Sequence, residues 1–302
     1  MSAPELSIIL LTKNGGELFG EVLGALAALD GIENAEVLVI DSGSTDGTPE
    51  RAAAFPGARV HRIPPAEFGH GRTRNLGARL ATAPLLVYLV QDATPESPDF
   101  LAQLLAPLDD PKVAAAYGRQ IARPEADPVE RFYLETVYPE TPEVRAHAGG
   151  PMGIRTMFFS NVAAVLRRAA WEQVPFDDTL IMSEDQQWAK GVLLAGWKIA
   201  YAPEAVVFHS HHYSLAQIFR RNFDSGASLV GISEDRFADM ARYELAHLQA
   251  GCRTFARRRL WLQIPRFLAF EATRAAGFAA GQREKWLPRA MKRLFSLHRY
   301  HW

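Results

Sequence analysis

The sequence predicts an α/β protein with a mostly parallel central sheet flanked by helices. Over the first 120 residues, short apolar runs alternate with segments in which apolar residues recur at helical spacing. The runs are apolar at nearly every position, which is typical of strands covered by helices on both faces. Polar groups follow three of the strands directly, at the edge where parallel sheets bind their ligands.

The expected elements succeed one another regularly. The predicted strands of the first part are 6–12, 35–40, 59–62 and 85–90, separated by helices over 18–29, a segment ending at Ala54, and 73–81. Five prolines make 121–155 an irregular insertion, and a strand over 157–166, a helix over 184–195 and strands over 198–201 and 206–209 follow. From Leu215 the pattern is helical to the end, with interruptions at Gly226, Gly231, Pro265 and Pro288.

Composition excludes several classes of protein. The chain has 302 residues, 33 basic and 34 acidic side chains, and 48% hydrophobic residues, a mixture typical of globular proteins rather than disordered or collagen-like ones. The single cysteine, Cys252, cannot form an internal disulfide. No segment approaches the roughly 20 apolar residues that cross a bilayer, and we find no export signal. We therefore expect a cytoplasmic protein.

The charge is distributed unevenly along the chain. Residues 251–302 carry 12 basic and 2 acidic side chains, whereas residues 1–250 carry 21 basic and 32 acidic ones. This basic, aromatic-rich segment is suited to peripheral contact with an anionic membrane surface. It could instead pack on the acidic remainder or form a homo-oligomer interface. No nucleic-acid-binding motif accompanies it, so we expect no nucleic-acid partner.

Polar residues at the ends of the first two strands form a candidate nucleotide site. The members of this set are Thr12, Asn14, Asp41, Ser42, Ser44 and Asp46. A carboxylate at a strand end can accept hydrogen bonds from a base or a ribose, and the start of the next helix favours phosphate. The alternative is a capped strand-to-helix turn, which needs only one such residue.

Two further motifs suit a bound diphosphate. Gln91 and Asp92 close the apolar strand over 85–90, and a carboxylate there can hold Mg²⁺ or Mn²⁺. Arg72 and Arg74 lie beside two glycines in a loop that could approach an anion closely. A surface turn and a solvated loop are the corresponding structural alternatives.

The last two motifs lie far along the chain. Glu184 and Asp185 begin a predicted helix, where one carboxylate could act as a general base or both could simply complement the helix dipole. His209 and His211 lie on the same side of a strand end, and either could complete a metal site.

As a set, these motifs resemble the family-2 inverting glycosyltransferases with the GT-A fold, over residues 5–215. The resemblance implies that Asp41 meets the nucleotide base and that Asp46 belongs to the same loop. It makes Asp92 the last acidic residue of the metal-binding Asp-x-Asp motif, and His209 the C-terminal metal ligand. Asp185 resembles the catalytic base, with Glu184 beside it.

One departure narrows the resemblance. Val90 stands where the first acidic residue of Asp-x-Asp is usual, and the motif reads Gln91-Asp-Ala-Thr-Pro95. Together with Gly118-Arg119-Gln120 and Ser183-Glu-Asp-Gln186, it resembles the rhamnosyltransferase branch, whose members use dTDP-L-rhamnose.

We therefore predict a GT-A catalytic domain over 1–215 and a helical extension over 216–302. The predicted enzyme depends on Mg²⁺ or Mn²⁺. It transfers L-rhamnose from dTDP-L-rhamnose, with inversion at the anomeric carbon, to a saccharide or lipid-linked saccharide in surface polysaccharide synthesis. The alternatives are a UDP-hexose donor, a nucleotidyltransferase, or a non-catalytic membrane-associated module that binds nucleotide sugars.

Overall fold

A computed structural model describes residues 4–302, without the side chains of residues 237 and 239. The strands of this part of the chain are β1 Leu6–Thr12, β2 Ala35–Asp41, β3 Arg59–Arg62, β4 Leu85–Val90, β5 Thr94–Pro95, β6 Val113–Ile121, β7 Glu143–Ala146, β8 Ala163–Arg167 and β9 Lys198–Phe208. The α-helices are α1 Gly16–Ala27, α2 Thr48–Ala54, α3 His70–Leu80, α4 Phe100–Leu105, α5 Pro128–Val137, α6 Arg168–Gln173, α7 Glu184–Leu194, α8 Leu215–Ser228, α9 Phe237–Arg257, α10 Gln263–Gly281 and α11 Arg289–Phe295.

All these strands join one sheet in the order β3-β2-β1-β4-β8-β6-β9-β5, with β7 paired to β9. The four strands β3, β2, β1 and β4 are parallel, as predicted. Beyond β4 the sheet is mixed, because β8 runs antiparallel to both β4 and β6, while β6 and β9 are parallel. The parallel half therefore brings the ends of β1, β2 and β4 to one edge.

Helices cover both faces of the sheet, which explains why its inner strands β1 and β4 are almost entirely apolar. On β1, Ile8 packs with Phe19 of α1 and Phe100 of α4 on one face. Ile9, which points the other way, belongs to a second core with Trp188 of α7. Ile8 and Ile9 are both fully buried, so neither face of this strand could carry a polar side chain without an internal partner.

The segment 121–155 is more regular than predicted. It contains α5 and β7, so the expectation of an irregular insertion was wrong for these residues. The Asp127 carboxylate accepts from the backbone N–H groups of Val129 and Glu130, and Pro128 is the first helical residue. Proline at this position favours a helix start rather than a loop, because its missing N–H has no partner in the first turn anyway.

Two strand predictions also differ from the structure. Strand β8 begins at Ala163, six residues later than expected, because the preceding residues turn towards the site described below. The two strands expected over 198–209 are one strand, β9, with a register shift opposite Gly118 and Arg119. A Cβ on Gly118 would lie 2.4 Å from the Ala205 carbonyl oxygen, so only glycine fits beside this bulge.

The C-terminal helices pack on the rest of the chain. Gly226 does not interrupt a helix but lies within α8, where a Cβ would approach the Phe278 carbonyl oxygen of α10 to 2.3 Å. On α5, Phe132 packs against Phe255 and Phe267 of α9 and α10. Pro265, also predicted to interrupt a helix, lies in the first turn of α10. Among the described residues, no helix combines the length and apolar character needed to cross a membrane.

Candidate active site

Three side chains form a cluster with the donor atoms of a metal site. They are Asp92, directly after β4, and His209 and His211, directly after β9. The Nε2 atom of His209 lies 3.6 Å from Oδ1 of Asp92, and Nδ1 of His211 lies 3.7 Å from Oδ2. One ligand atom from each residue lies within 4.8 Å of the other two. Carboxylate oxygen and imidazole nitrogen at this spacing can converge on one divalent ion.

A buried glutamine fixes the orientation of His209. Nδ1 of His209 lies 2.8 Å from Oε1 of Gln120, so this ring nitrogen is the donor. The Gln120 amide donates in turn to the Tyr138 hydroxyl at 2.6 Å and to Ser160 Oγ at 3.0 Å. This network leaves the lone pair on Nε2 of His209, the atom that faces Asp92.

Asp185 and Glu184 begin α7 and are held in different ways. Glu184 Oε1 accepts from Nη1 of the buried Arg74 at 2.6 Å. Asp185 accepts backbone bonds from Asn161 N at 3.3 Å and from Gln186 N at 2.9 Å. Ser183 precedes the pair with φ of +63°, a strained conformation for a residue with a side chain.

The pKa values of the two carboxyl groups are shifted in opposite directions. Burial and the neighbouring charge of Glu184 raise the pKa of Asp185 to about 7. Burial alone would raise the pKa of Glu184 too, but the charges of Arg74 and His70 outweigh it and lower that pKa. A carboxyl group with a pKa near neutrality suits a general base, whereas Glu184 stays ionised.

One cavity of about 760 Å³ brings the two groups together. Its lining includes the cluster of Asp92, His209 and His211 as well as Glu184, Asp185 and Arg74. Helices α5, α8 and α10 supply the opposite wall. The wall therefore includes helices beyond residue 215, while the division of the chain at that residue stays a prediction.

The predicted nucleotide residues lie in two loops joined by hydrogen bonds. In the first pair of contacts, Asp41 Oδ1 accepts from the backbone N–H groups of Gly43 and Ser44 at 3.1 and 3.0 Å. Ser44 Oγ accepts from Asn14 N at 2.7 Å, and the Asn14 side chain accepts from Thr45 N. Further bonds link Thr12 to Asp41, Ser42 to the Thr12 carbonyl, and Gly16 to Asp46. The two loops, residues 12–16 and 41–46, thus form one hydrogen-bonded edge beside β1 and β2, which we call the braced edge.

Gln91 and Arg72 have different surroundings from their neighbours in sequence. Gln91 Oε1 accepts from Lys13 N at 2.8 Å, so Gln91 joins the braced loops whereas Asp92 faces the cavity. Arg72 is exposed and lines a separate pocket on the outside of α3, whereas Arg74 is buried beside Glu184.

Sequence reasoning missed several cavity residues. Gln120 was considered only as part of a branch motif, and Tyr213 and Arg221 were not considered at all. The alternate spacing that links His209 to His211 could have extended the site to Tyr213, two residues further along the chain. Gln120 lies 89 residues before His209, and no local pattern connects them.

Comparisons with known proteins agree with this geometry. Residues 7–174 match the family model for glycosyl transferase family 2. The chain is 32% identical to O-antigen chain rhamnosyltransferase RfbN of Salmonella typhimurium (strain LT2), over 99% of this chain and 96% of that protein. It is 31% identical to O-antigen chain rhamnosyltransferase WbaN of Salmonella anatum, with the same two coverages.

Solved structures confirm the GT-A fold. Mannosyltransferase PcManGT from Pyrobaculum calidifontis, in complex with GDP-Man and Mn²⁺, has a TM-score of 0.66 at 21% identity, covering 94% of this chain and 88% of that one. S. aureus TarS 1-349 in complex with UDP has a TM-score of 0.55 at 15% identity, with coverages of 93% and 91%. With the family model and the full-length relatives, these findings show that the chain belongs to glycosyl transferase family 2 and is a glycosyltransferase.

Proposed function

We propose that this glycosyltransferase moves L-rhamnose from dTDP-L-rhamnose to a saccharide acceptor, with inversion, during surface polysaccharide synthesis. The observation that carries the proposal is the shared cavity, in which the Asp92–His209–His211 cluster and the Asp185 carboxylate face the same space. The names of the relatives RfbN and WbaN support the choice of sugar.

Asp185 acts as the general base in this proposal. In the part of the chain that the structure describes, no cationic side chain bonds to its carboxylate, so it can accept the proton of an acceptor hydroxyl. Arg74 is bound to Glu184, which keeps that charge fixed beside Asp185. The deprotonated hydroxyl attacks the anomeric carbon as the bond to the nucleoside diphosphate breaks, and a single displacement inverts that carbon.

The cluster residues fit Mg²⁺ or Mn²⁺. Asp92 offers a carboxylate oxygen, and Gln120 keeps Nε2 of His209 free to donate its lone pair. His211 offers Nδ1, so either histidine or both could be ligands. A bound divalent ion would neutralise negative charge on the leaving diphosphate.

The braced edge is the proposed nucleoside site. Its hydrogen bonds hold the ends of β1 and β2 in one arrangement before any ligand binds, which lowers the entropic cost of binding. Asp41 Oδ2 has only the long, 3.4 Å contact with Thr12 Oγ1, so it can accept from a base or a ribose.

A donor screen tests the proposed function. The full chain is incubated with Mn²⁺ and with dTDP-L-rhamnose, UDP-glucose or GDP-mannose, and nucleotide release into water is followed with the anomer of the first released sugar by NMR. We expect release from dTDP-L-rhamnose with inversion. Preference for UDP-glucose would favour the UDP-hexose alternative, and binding without release from any donor would favour a non-catalytic module.

We also propose that the enzyme works in the cytoplasm, on the membrane face, where it meets a lipid-linked acceptor. Apolar side chains are exposed in the segments before and after α10: Trp261 at 62% and Leu262 at 93% before it, and Trp286 at 89% after it. Exposed cations adjoin them in sequence, including Arg259 and Lys285, which have no ion pair among the described residues. Aromatic rings beside cations are suited to the headgroup region of anionic lipid.

Point variants test this contact better than truncation, because α10 is also part of the cavity wall. We expect Trp261→Ser/Leu262→Ser to reduce flotation with vesicles of phosphatidylglycerol and phosphatidylethanolamine. Leu194→Ser is the matched control, since Leu194 is 57% exposed on α7. Equal flotation of the wild type and the double variant would contradict the membrane proposal and leave packing or oligomerisation as the role of the segment.

A further inference from the structure

Four arginines line the cavity, and Arg221 of α8 differs from the other three. The others are ion-paired, as Arg74–Glu184, Arg266–Asp127 and Arg274 with both Glu244 and Glu271. Within residues 4–302, no carboxylate of a described side chain lies within ion-pair distance of Arg221. Its side chain is solvent-accessible within the cavity wall.

Aromatic contacts place Arg221 next to the Asp92–His209–His211 cluster. Its Nη1 donates to the Tyr213 hydroxyl at 3.3 Å, and its guanidinium carbon lies 5.8 Å from the centre of the Tyr213 ring. That ring stacks on His211, with centroids 4.7 Å apart and an angle of 25° between the planes. The guanidinium is thus one aromatic ring away from a residue of the cluster.

The guanidinium adds positive charge next to His211, beside a cluster whose own ligand atoms can hold a cation. The positive charge of Arg221 and a cation bound at the cluster would repel each other unless an anion lay between them. The region therefore has the electrostatics of a site for a ligand with more than one negative charge.

We propose that Arg221, supported by the Tyr213 ring, binds a diphosphate on the cavity side of the Asp92–His209–His211 cluster. A guanidinium fork can donate two parallel hydrogen bonds to phosphate oxygens. The inference rests on the proposed function, which supplies two sources of this group: the nucleotide of the donor and the diphosphate of a lipid-linked acceptor.

Calorimetric titration of the full chain with dTDP, in the presence of Mn²⁺, tests the proposal. We expect Arg221→Gln to weaken dTDP binding by about 10- to 100-fold, as for the loss of hydrogen bonds to a charged group, and Arg221→Lys to weaken it less. Arg220→Gln is the matched control on the same helix, since Arg220 Nε bonds to the Leu294 carbonyl instead of lining the cavity. Thymidine, which has no phosphate, should bind the wild type and Arg221→Gln equally.

Titrations with inorganic pyrophosphate and farnesyl diphosphate distinguish the sources. Loss of farnesyl diphosphate affinity alone would assign Arg221 to the acceptor, and loss of dTDP affinity would assign it to the donor. Equal affinities of the wild type and Arg221→Gln for all three probes would overturn the inference. Pyrophosphate binding that depends on Arg221, in a chain that binds no dTDP, would contradict the proposed donor but not the role of Arg221. If Arg221→Gln does not fold, Arg221→Lys decides: lysine keeps the charge but lacks the planar fork, so the affinity for pyrophosphate should still fall, and an unchanged affinity would overturn the inference.

Discussion

The carboxylates of the braced edge and those of the cavity have opposite surroundings. Asp41 accepts two backbone N–H bonds in its own turn, and Asp46 accepts from Thr48 and Gly16. In the cavity, Asp92 faces two histidines and Asp185 faces like charge. The first region uses its carboxylates to fix the backbone, whereas in the proposed function the second keeps them available for an ion and a proton.

The largest expected effect is on the rate of sugar transfer, and it comes from a cavity carboxylate, Asp185. Asp185→Asn should lower the rate of sugar transfer by about 10²- to 10⁴-fold, because an amide cannot accept the hydroxyl proton. The same variant should raise the melting temperature at pH 8, since it removes a buried charge that burial and Glu184 disfavour. Asp177→Asn, on a loop outside the cavity lining, is the control. Near-normal turnover by folded Asp185→Asn would remove Asp185 as the base.

A smaller effect concerns Gln120, which orients His209 in the Asp92–His209–His211 cluster. Gln120→Leu removes the acceptor for Nδ1 of His209 and should weaken Mn²⁺ binding by about 10- to 100-fold. Gln120→Glu keeps an acceptor oxygen and should preserve most of the affinity. Titration monitored by Mn²⁺ electron paramagnetic resonance measures both variants. Equal weakening by Leu and Glu would mean that Gln120 acts through packing rather than through the tautomer of His209.

In the braced edge we expect loss of stability. Asp41→Ala leaves the Gly43 and Ser44 N–H groups without their acceptor and should lower the free energy of unfolding by ~1–3 kcal/mol. Asp41→Asn keeps one acceptor oxygen and should cost less. Urea denaturation measures the difference. Equal stability of Asp41→Ala and the wild type would show that the turn does not depend on this carboxylate.

The smallest effect is a shift along the pH axis. The base must be deprotonated, so kcat/KM should fall as the pH drops through about 7, the raised pKa of Asp185. Glu184→Gln removes a neighbouring negative charge and leaves the Arg74 charge unpaired, and both changes lower the pKa of Asp185. The acidic limb should therefore move to lower pH.

Glu172→Gln, exposed on α6, should leave the limb in place. A limb unchanged in Glu184→Gln would contradict the coupling of the two carboxyl groups. Loss of a buried pair costs ~3–5 kcal/mol, so the profile is measured at a temperature where the variant is folded.

The sequence predicts the parallel half of the fold well, for a physical reason. Strands β1 and β4 have the predicted bounds because both faces are buried and turn residues end each apolar run. Strand β3 also has the predicted bounds, although its residues are exposed or half-buried. Helix α5 was missed because Pro128 was read as a helix breaker although it begins the helix. Strand β8 begins later than predicted because the apolar residues before it line the cavity instead of pairing in the sheet.

The candidate site is predictable where its residues lie at strand and helix ends. Asp92, Asp185 and His209 fall there, and the structure places all three in one cavity. Gln120 and Arg221 act through contacts between elements far apart in sequence. No spacing within one element reports such contacts, so only the packing of β6 on β9 and of α8 over the cavity shows them.

The most direct test of the account is a crystal structure of the chain with Mn²⁺ and a non-transferable analogue of dTDP-L-rhamnose. The account predicts an anomalous manganese peak ligated by Asp92 and by one or both cluster histidines, with the anomeric carbon of the sugar facing Asp185. A manganese peak outside the cavity, or a sugar lying away from Asp185 while the nucleotide is bound, would contradict it.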